Sequence, residues 1–136
     1  MSEEFLLRFA LAGVIIILGT LAYRFISQRI LVRARNNAFR LFPTPPNKPV
    51  IVYFTTPDCV PCKTVQRPAL HQVTRLMGEA TLEVVEIDAT ERPDLAKTWG
   101  VMSVPTTFLL DARGDARYVN HGVTRAEKLL EQIQNL

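Results

Sequence analysis

Between Phe5 and Ile26 the chain is apolar almost without interruption, charged only at Arg8 and Arg24 and relieved by Gly13, Gly19 and Thr20. A helix that is apolar on every face must be buried in something. With 136 residues, the chain is long enough for one compact domain and an appendage, but not for two ordinary domains. It therefore cannot wrap such a helix in its own core. Crossing a bilayer takes roughly 20 residues. The uncharged centre, Phe9 to Tyr23, is shorter, but Arg8 and Arg24 can snorkel to opposite interfaces, where Tyr23 and Phe25 also fit. A cleaved signal peptide opens on positive charge and ends on a small-x-small site. This run opens Ser2-Glu3-Glu4 and no such site follows it. Residues 1–26 therefore read as a short tail and one retained transmembrane helix, the membrane contact lying at residues 5–26.

The flanking charges predict sidedness. Glu3 and Glu4 precede the run, whereas Arg24, Arg29, Arg33, Arg35 and Arg40 follow it with no acidic residue among them. Basic flanks stay cytoplasmic, so a single-pass cell-membrane protein with a cytoplasmic C-terminal domain is expected; the extracytoplasmic arrangement is the alternative. Residues 27–49 form a basic juxtamembrane segment. Ser27 to Phe42 continues as a helix, with Ile30, Leu31, Ala34, Ala38 and Leu41 between the arginines. It either lies on anionic lipid through Arg24, Arg29, Arg33, Arg35 and Arg40 or is a solvated extension of the anchor. Pro43-Thr44-Pro45-Pro46-Asn47-Lys48-Pro49 then stops the helix as a semi-rigid linker. The formal net charge of +3 resides in this basic segment. With no base-reading module or aromatic-rich basic face, nucleic acid is not expected as a partner.

Residues 50–136 have the texture of an α/β domain. Val50 to Thr55 is a short β-branched run suited to a strand buried on both faces. From Cys59 to Met77, Val65, Ala69, Leu70, Val73, Leu76 and Met77 make one apolar helical stripe, kinked at Pro68 and closed by Gly78. Thr81 to Asp88 reads as a second strand, joined to the first by a right-handed crossover and hence parallel. A short helix follows over Asp94–Trp99, with Pro93 in its first turn. Val104 to Leu110 is a third strand. A hairpin turn at Asp111–Asp115 leads to a fourth, Ala116 to Asn120. Thr124 and Glu127 are spaced as a capping box for a last helix. The order is β-α-β-α-β-β-α, a mixed sheet with flanking helices.

Only two cysteines are present, Cys59 and Cys62. A disulfide framework would use more pairs at longer spacings, and so short a loop removes little unfolded-state entropy. Redox chemistry, metal binding and coincidence remain. At a strand-to-helix junction the first cysteine meets unpaired N–H groups and the positive end of the helix dipole, which favour a thiolate. Cys59 is then the nucleophile, and Cys62, most of a turn later, can close or resolve a disulfide. Pro61 sits where a missing N–H costs nothing, and Lys63 adds weak positive potential. A zinc site would need His71 and His121 as further ligands, and their spacing fits no finger pattern. No metal or cofactor is expected. Val104-Pro105, opening a strand, is a position where a cis peptide bond is tolerated, an ordinary trans proline being the alternative.

The segments Phe54 to Lys63 (with Thr55-Thr56-Pro57-Asp58-Cys59-Val60-Pro61-Cys62 between them), Val85-Glu86-Ile87-Asp88, Trp99 to Thr106 and Gly122 together resemble the thioredoxin superfamily, over roughly Val50 to Leu136. The resemblance implies a thioredoxin-like fold with a cis Val104–Pro105 bond against the disulfide. It further implies a substrate groove at Val104, Pro105, Pro61 and Asp58, in which Cys59 attacks and Cys62 resolves. Asp58 stands where thioredoxins carry Trp, and a carboxylate there opposes thiolate formation. Tyr53 stands where they bury an aspartate, and Val84 where they keep its lysine partner. The family's first strand and helix are expected to be absent. The function implied is that of a membrane-anchored thiol–disulfide oxidoreductase acting on protein thiols and disulfides, as reductase or electron relay. The alternative is a non-catalytic interaction module using the groove beside Val104–Pro105.

Overall fold

A computed structural model describes residues 2–136 of the chain. The central element is β1 (Val50–Thr55), whose residues are all buried. Alternation along a strand sends successive side chains to opposite faces, so β1 feeds two cores. Val50, Val52 and Phe54 pack on one face with Ile87, Leu95, Trp99, Phe108 and Leu110. Ile51 and Tyr53 pack on the other with Cys59, Cys62, Leu70, Val73, Leu109, Leu129 and Ile133.

The sheet order is β2-β1-β3-β4. The second strand, β2 (Glu83–Asp88), pairs parallel with β1, Val50 opposite Glu83 and Thr55 opposite Asp88. The third, β3 (Thr106–Leu110), pairs antiparallel with β1, and β4 (Ala116–His121) antiparallel with β3. The sheet is mixed, in the expected order. Two strand starts move, and the fourth strand runs one residue further, to His121. The second strand starts at Glu83 rather than Thr81, because Thr81 is held in the preceding turn by a hydrogen bond to the Gly78 carbonyl. The third starts at Thr106 rather than Val104, because Pro105 has no donor for a ladder; the Val104–Pro105 peptide bond is cis.

Between the sheet's first two strands, the chain forms a π turn at Cys62–Gln66 and then α2 (Arg67–Met77). Pro68 has no N–H and its ring crowds the carbonyl four residues earlier. The wider turn, in which the Arg67 N–H donates to the Cys62 carbonyl, absorbs that conflict. The remaining helices are α3 (Pro93–Trp99) and α4 (Ala126–Gln134). The expected capping box does not form: the residue before α4 is Arg125, with no side-chain cap. The Thr124 backbone is engaged elsewhere. Its N–H donates to Gln66 Oε1 at 2.8 Å, and its carbonyl accepts from Gln66 Nε2 at 3.1 Å.

The first helix, α1 (Ser2–Asn37), is continuous through the apolar run and the basic segment. It is the one described helix whose length and composition suffice to cross a membrane. Its second half departs from expectation. Instead of lying on lipid or in solvent, Ile30 and Ala34, with Ala38 in the 3₁₀ turn after the helix, are buried against the core of β1, α3 and β3. These three are one helical face at i, i+4, i+8, and the two alanines allow a close approach. Gly100, which ends α3 in a left-handed conformation, faces Ile30 so closely that a Cβ there would lie 3.3 Å from Ile30 Cγ1. A helix does therefore stand ahead of β1 on the sheet, and the expectation that none would is corrected. The proline-rich linker is also tied down: the Asn47 N–H donates to the Ala112 carbonyl at 3.0 Å, in the turn between β3 and β4.

Ile30→Ala tests this packing. Deleting a buried aliphatic side chain costs about 2–5 kcal/mol. Urea unfolding of the full chain, followed by fluorescence of Trp99, the sole tryptophan, should show a loss in that range. A helix lying on lipid or in water would show almost none.

Candidate active site

At the C-terminal end of β1 the chain turns at Thr56–Asp58, where the Cys59 N–H donates to the Thr56 carbonyl at 3.2 Å. Helical structure begins at Val60. Cys59 is thus at the mouth of the helix and Cys62 one turn inside it. The two form a disulfide, with Cα atoms 5.3 Å apart. Both are buried, but unequally: Cys59 retains 8% and Cys62 none. Cys59 is therefore the more accessible of the two from outside. The Cys62 N–H points at Cys59 Sγ from 3.3 Å, so a negative charge on that sulfur would find a backbone donor in addition to the helix dipole.

Val104 and Pro105 sit in the bend before β3, joined by the cis bond. Pro105 is buried; Val104 is half-buried and packs against both cores, including the one that holds the cysteines. The Pro105 carbonyl accepts a 2.8 Å hydrogen bond from the Gly122 N–H, and Thr106 Oγ1 donates to the Ser103 carbonyl at 2.7 Å. Both bonds hold the bend in place. Pro61 and Asp58 are exposed beside the disulfide. So are Val60, at 66%, and Met102, at 70%. The structure thus brings together Cys59, Cys62, Val104, Pro105, Pro61 and Asp58 at one end of the sheet.

Tyr53 lies beneath the site, wholly buried in the core that contains both cysteines. Its hydroxyl has no hydrogen-bond partner among the described residues. Burial pushes the phenol pKa up, with Thr55, short of hydrogen-bond geometry, pulling the other way. Tyr53 is therefore neutral at physiological pH and cannot act as a base for Cys62. His71 is exposed on α2. His121 ends β4, where its ring meets Tyr23 of α1 edge-to-face at 6.2 Å, and burial holds its pKa below the ordinary value. Among the described residues, no cluster of three or more His, Cys, Asp or Glu side chains could hold a metal ion.

Gln66 was not legible as a site residue. It is fully buried at the end of the π turn, and its two bonds to Thr124 clamp the active-site helix to the loop after Gly122. Its only signal in the sequence is a polar side chain one turn after Cys62, at a position that could equally be solvated. Arg67, the next residue, instead points to β2, where it pairs with Glu86 at 2.6 Å.

Comparison with known proteins gives one consistent result. The thioredoxin family model matches residues 31–135, so the match begins inside α1 and includes Ala34 and the residues after it. Thioredoxin of Bacillus subtilis is 39% identical over 61 residues, 45% of this chain and 57% of that protein. A thioredoxin-like protein of Synechocystis sp. is 33% identical over 87 residues, 64% of this chain and 80% of that protein. Among solved structures, mitochondrial thioredoxin 3 of Saccharomyces cerevisiae in its oxidised form superposes with a TM-score of 0.59 at 25% identity, covering 75% of this chain and 86% of that one.

Tyr53→Phe removes the unpartnered hydroxyl. A buried unsatisfied polar group costs about 1–3 kcal/mol, so the variant should be at least as stable as the wild type at neutral pH. Tyr53 also sets a pH dependence. Its folded pKa exceeds its unfolded value, so above about pH 10 the unfolded chain loses the proton first and stability falls as pH rises. Unfolding midpoints from pH 8 to 11 should show a steeper alkaline loss in the wild type than in the variant.

Proposed function

Because the chain belongs to the thioredoxin family, and its Cys59–Cys62 pair is that of a thiol–disulfide oxidoreductase, we propose that it exchanges this pair with disulfides of partner proteins as a membrane-anchored reductase or relay. The supporting observation is the disulfide-bonded pair at the mouth of a helix, both residues buried but Cys59 retaining some exposure and Cys62 none. In the reduced form, the Cys59 thiolate attacks one sulfur of a partner disulfide. The new S–S bond expels the partner's other sulfur as a thiolate, which takes up a proton. Cys62 then loses its proton and attacks Cys59 Sγ, releasing the second partner thiol. Two electrons pass to the partner, and the chain is left with the Cys59–Cys62 disulfide. A separate dithiol donor must reduce it again.

Val104, beside the cysteines, has the position to offer its backbone to an extended partner segment, with Pro105, Pro61 and Asp58 around it. Tyr53, neutral in the core below the pair, supplies no base for the second step. Residues 50–136 carry this chemistry, residues 27–49 dock and tether, and the apolar part of α1 anchors. Anionic lipid contact is assigned to Arg24 and Arg29, next to the apolar run. Arg35 is occupied by Asp115 at 3.1 Å, while Arg33 and Arg40 lie further from the run. The basic flank favours a cytoplasmic domain.

Cys59→Ser should abolish turnover of a protein disulfide, and Cys62→Ser should accumulate mixed disulfides on non-reducing gels. Wild-type turnover by the Cys59→Ser form would overturn the reading. A membrane-impermeant thiol reagent applied to intact cells should leave Cys59 unlabelled; labelling without lysis would place the domain outside.

A further inference from the structure

The direction in which α1 crosses the domain has a consequence for the redox site. Three contacts fix that direction. Tyr23 meets His121, the last residue of β4. Ile30 meets Gly100, and Arg35 Nε pairs with Asp115 at 3.1 Å, in the turn between β3 and β4. From Tyr23 to Arg35 a helix climbs about 18 Å, and from His121 back to Ala116 a strand spans roughly 17 Å. The helix therefore runs the length of the sheet, entering beside His121 and leaving beside the turn.

The entry end is the redox end. Phe54, Thr106 and His121 are paired in one row across β1, β3 and β4. Beyond that row lie Cys59, the Val104–Pro105 bend and the Gly122–Pro105 hydrogen bond. Two strand spacings, about 10 Å, separate β1 from β4, so the disulfide and the entering helix lie at the same end of the sheet, on opposite faces of it. Ahead of Tyr23 the helix continues unbroken past that end of the sheet, with its large apolar side chains from Phe5 to Leu21 exposed. The same end carries exposed Val60, Met102 and, at 42%, Val123, along with exposed Asp58, Glu91, Arg92 and Asp94. The opposite end carries Glu79, Arg113 and Asp115.

We propose that the disulfide and the Val104 groove face the bilayer that α1 enters, and that the partner is an integral membrane protein presenting a cysteine pair at the lipid–water boundary. The partner rests on the exchange reading above; the orientation does not. With the boundary at Tyr23 and Arg24, the row containing His121 lies at headgroup level. A soluble partner would have to enter between the domain and the headgroups. A cysteine pair at the membrane surface is already there, and confinement raises its effective concentration. Val60, Met102 and Val123, exposed apolar side chains among the charged ones at this end, suit such a partner better than they suit water.

The test uses the full chain in nanodiscs whose lipids carry a nitroxide on the headgroup. In a Cys59→Ser, Cys62→Ser background, one position at a time (V60C, M102C, E79C or R113C) carries a fluorophore. Quenching should be several-fold stronger at 60 and 102 than at 79 and 113, which lie roughly 17 Å further from the boundary. Equal quenching at all four, or stronger quenching at 79 and 113, overturns the orientation. In a second arm, pre-reduced wild type in vesicles meets one peptide disulfide in two forms, free or held to lipid by a short tether. The tethered form should react about tenfold faster or more at equal total concentration. Equal rates, or a faster free form, overturn the membrane partner in favour of a soluble one. If neither form reacts while the quenching pattern holds, the exchange reading fails and the orientation stands.

Discussion

The complete burial of β1 on both faces is the constraint on which the other elements depend. A strand whose every side chain is inside a core needs cover on each side, and each cover has a different task here. On the face of Val50, Val52 and Phe54, the cover is α3 and the second half of α1, with Trp99 and Phe108 in edge-to-face contact at 5.1 Å between them. On the face of Ile51 and Tyr53 it is α2 and α4, with the two cysteines among the buried residues. The long apolar helix and the helix that follows the cysteines are thus held against opposite faces of one sheet.

The site owes its form to that arrangement. Cys59 leaves the end of β1 at the mouth of a helix, where backbone N–H groups are free to serve a sulfur anion. Cys62 is drawn inside because the helix must bury its apolar stripe on the sheet. The π turn after it reconciles Pro68 with a continuing helix, and ends on Gln66, which clamps Thr124. The Val104–Pro105 bend completes the mouth from the neighbouring strand. Tyr53, neutral and buried beneath the pair, places no proton acceptor there.

Much of this was legible along the chain, for a physical reason. Strand and helix periodicities, the turn at Asp111–Asp115, the glycine ending α2 and the cysteine spacing are local features, set by residues within a few positions of one another. Errors arose where a local signal met a long-range competitor. Thr124 and Glu127 have capping-box spacing, but the side chain of Gln66, 58 positions away, takes the Thr124 backbone. Ile30, Ala34 and Ala38 form a face of their own, but the arginines around them pointed to lipid or water as its cover, and the domain core covers it instead.

The sequence alone determined that the chain has one apolar run suited to a bilayer, an α/β domain after it, and a cysteine pair at a strand-to-helix junction. Composition and short spacings carry that information. Only the tertiary structure decided that the second half of the apolar helix belongs to the domain core, and that the helix enters the sheet at the end where the cysteines lie. Those facts depend on contacts between residues such as Tyr23 and His121, or Arg35 and Asp115, that are distant along the chain. No periodicity names the partner of a buried face; packing around the shared strand selects it.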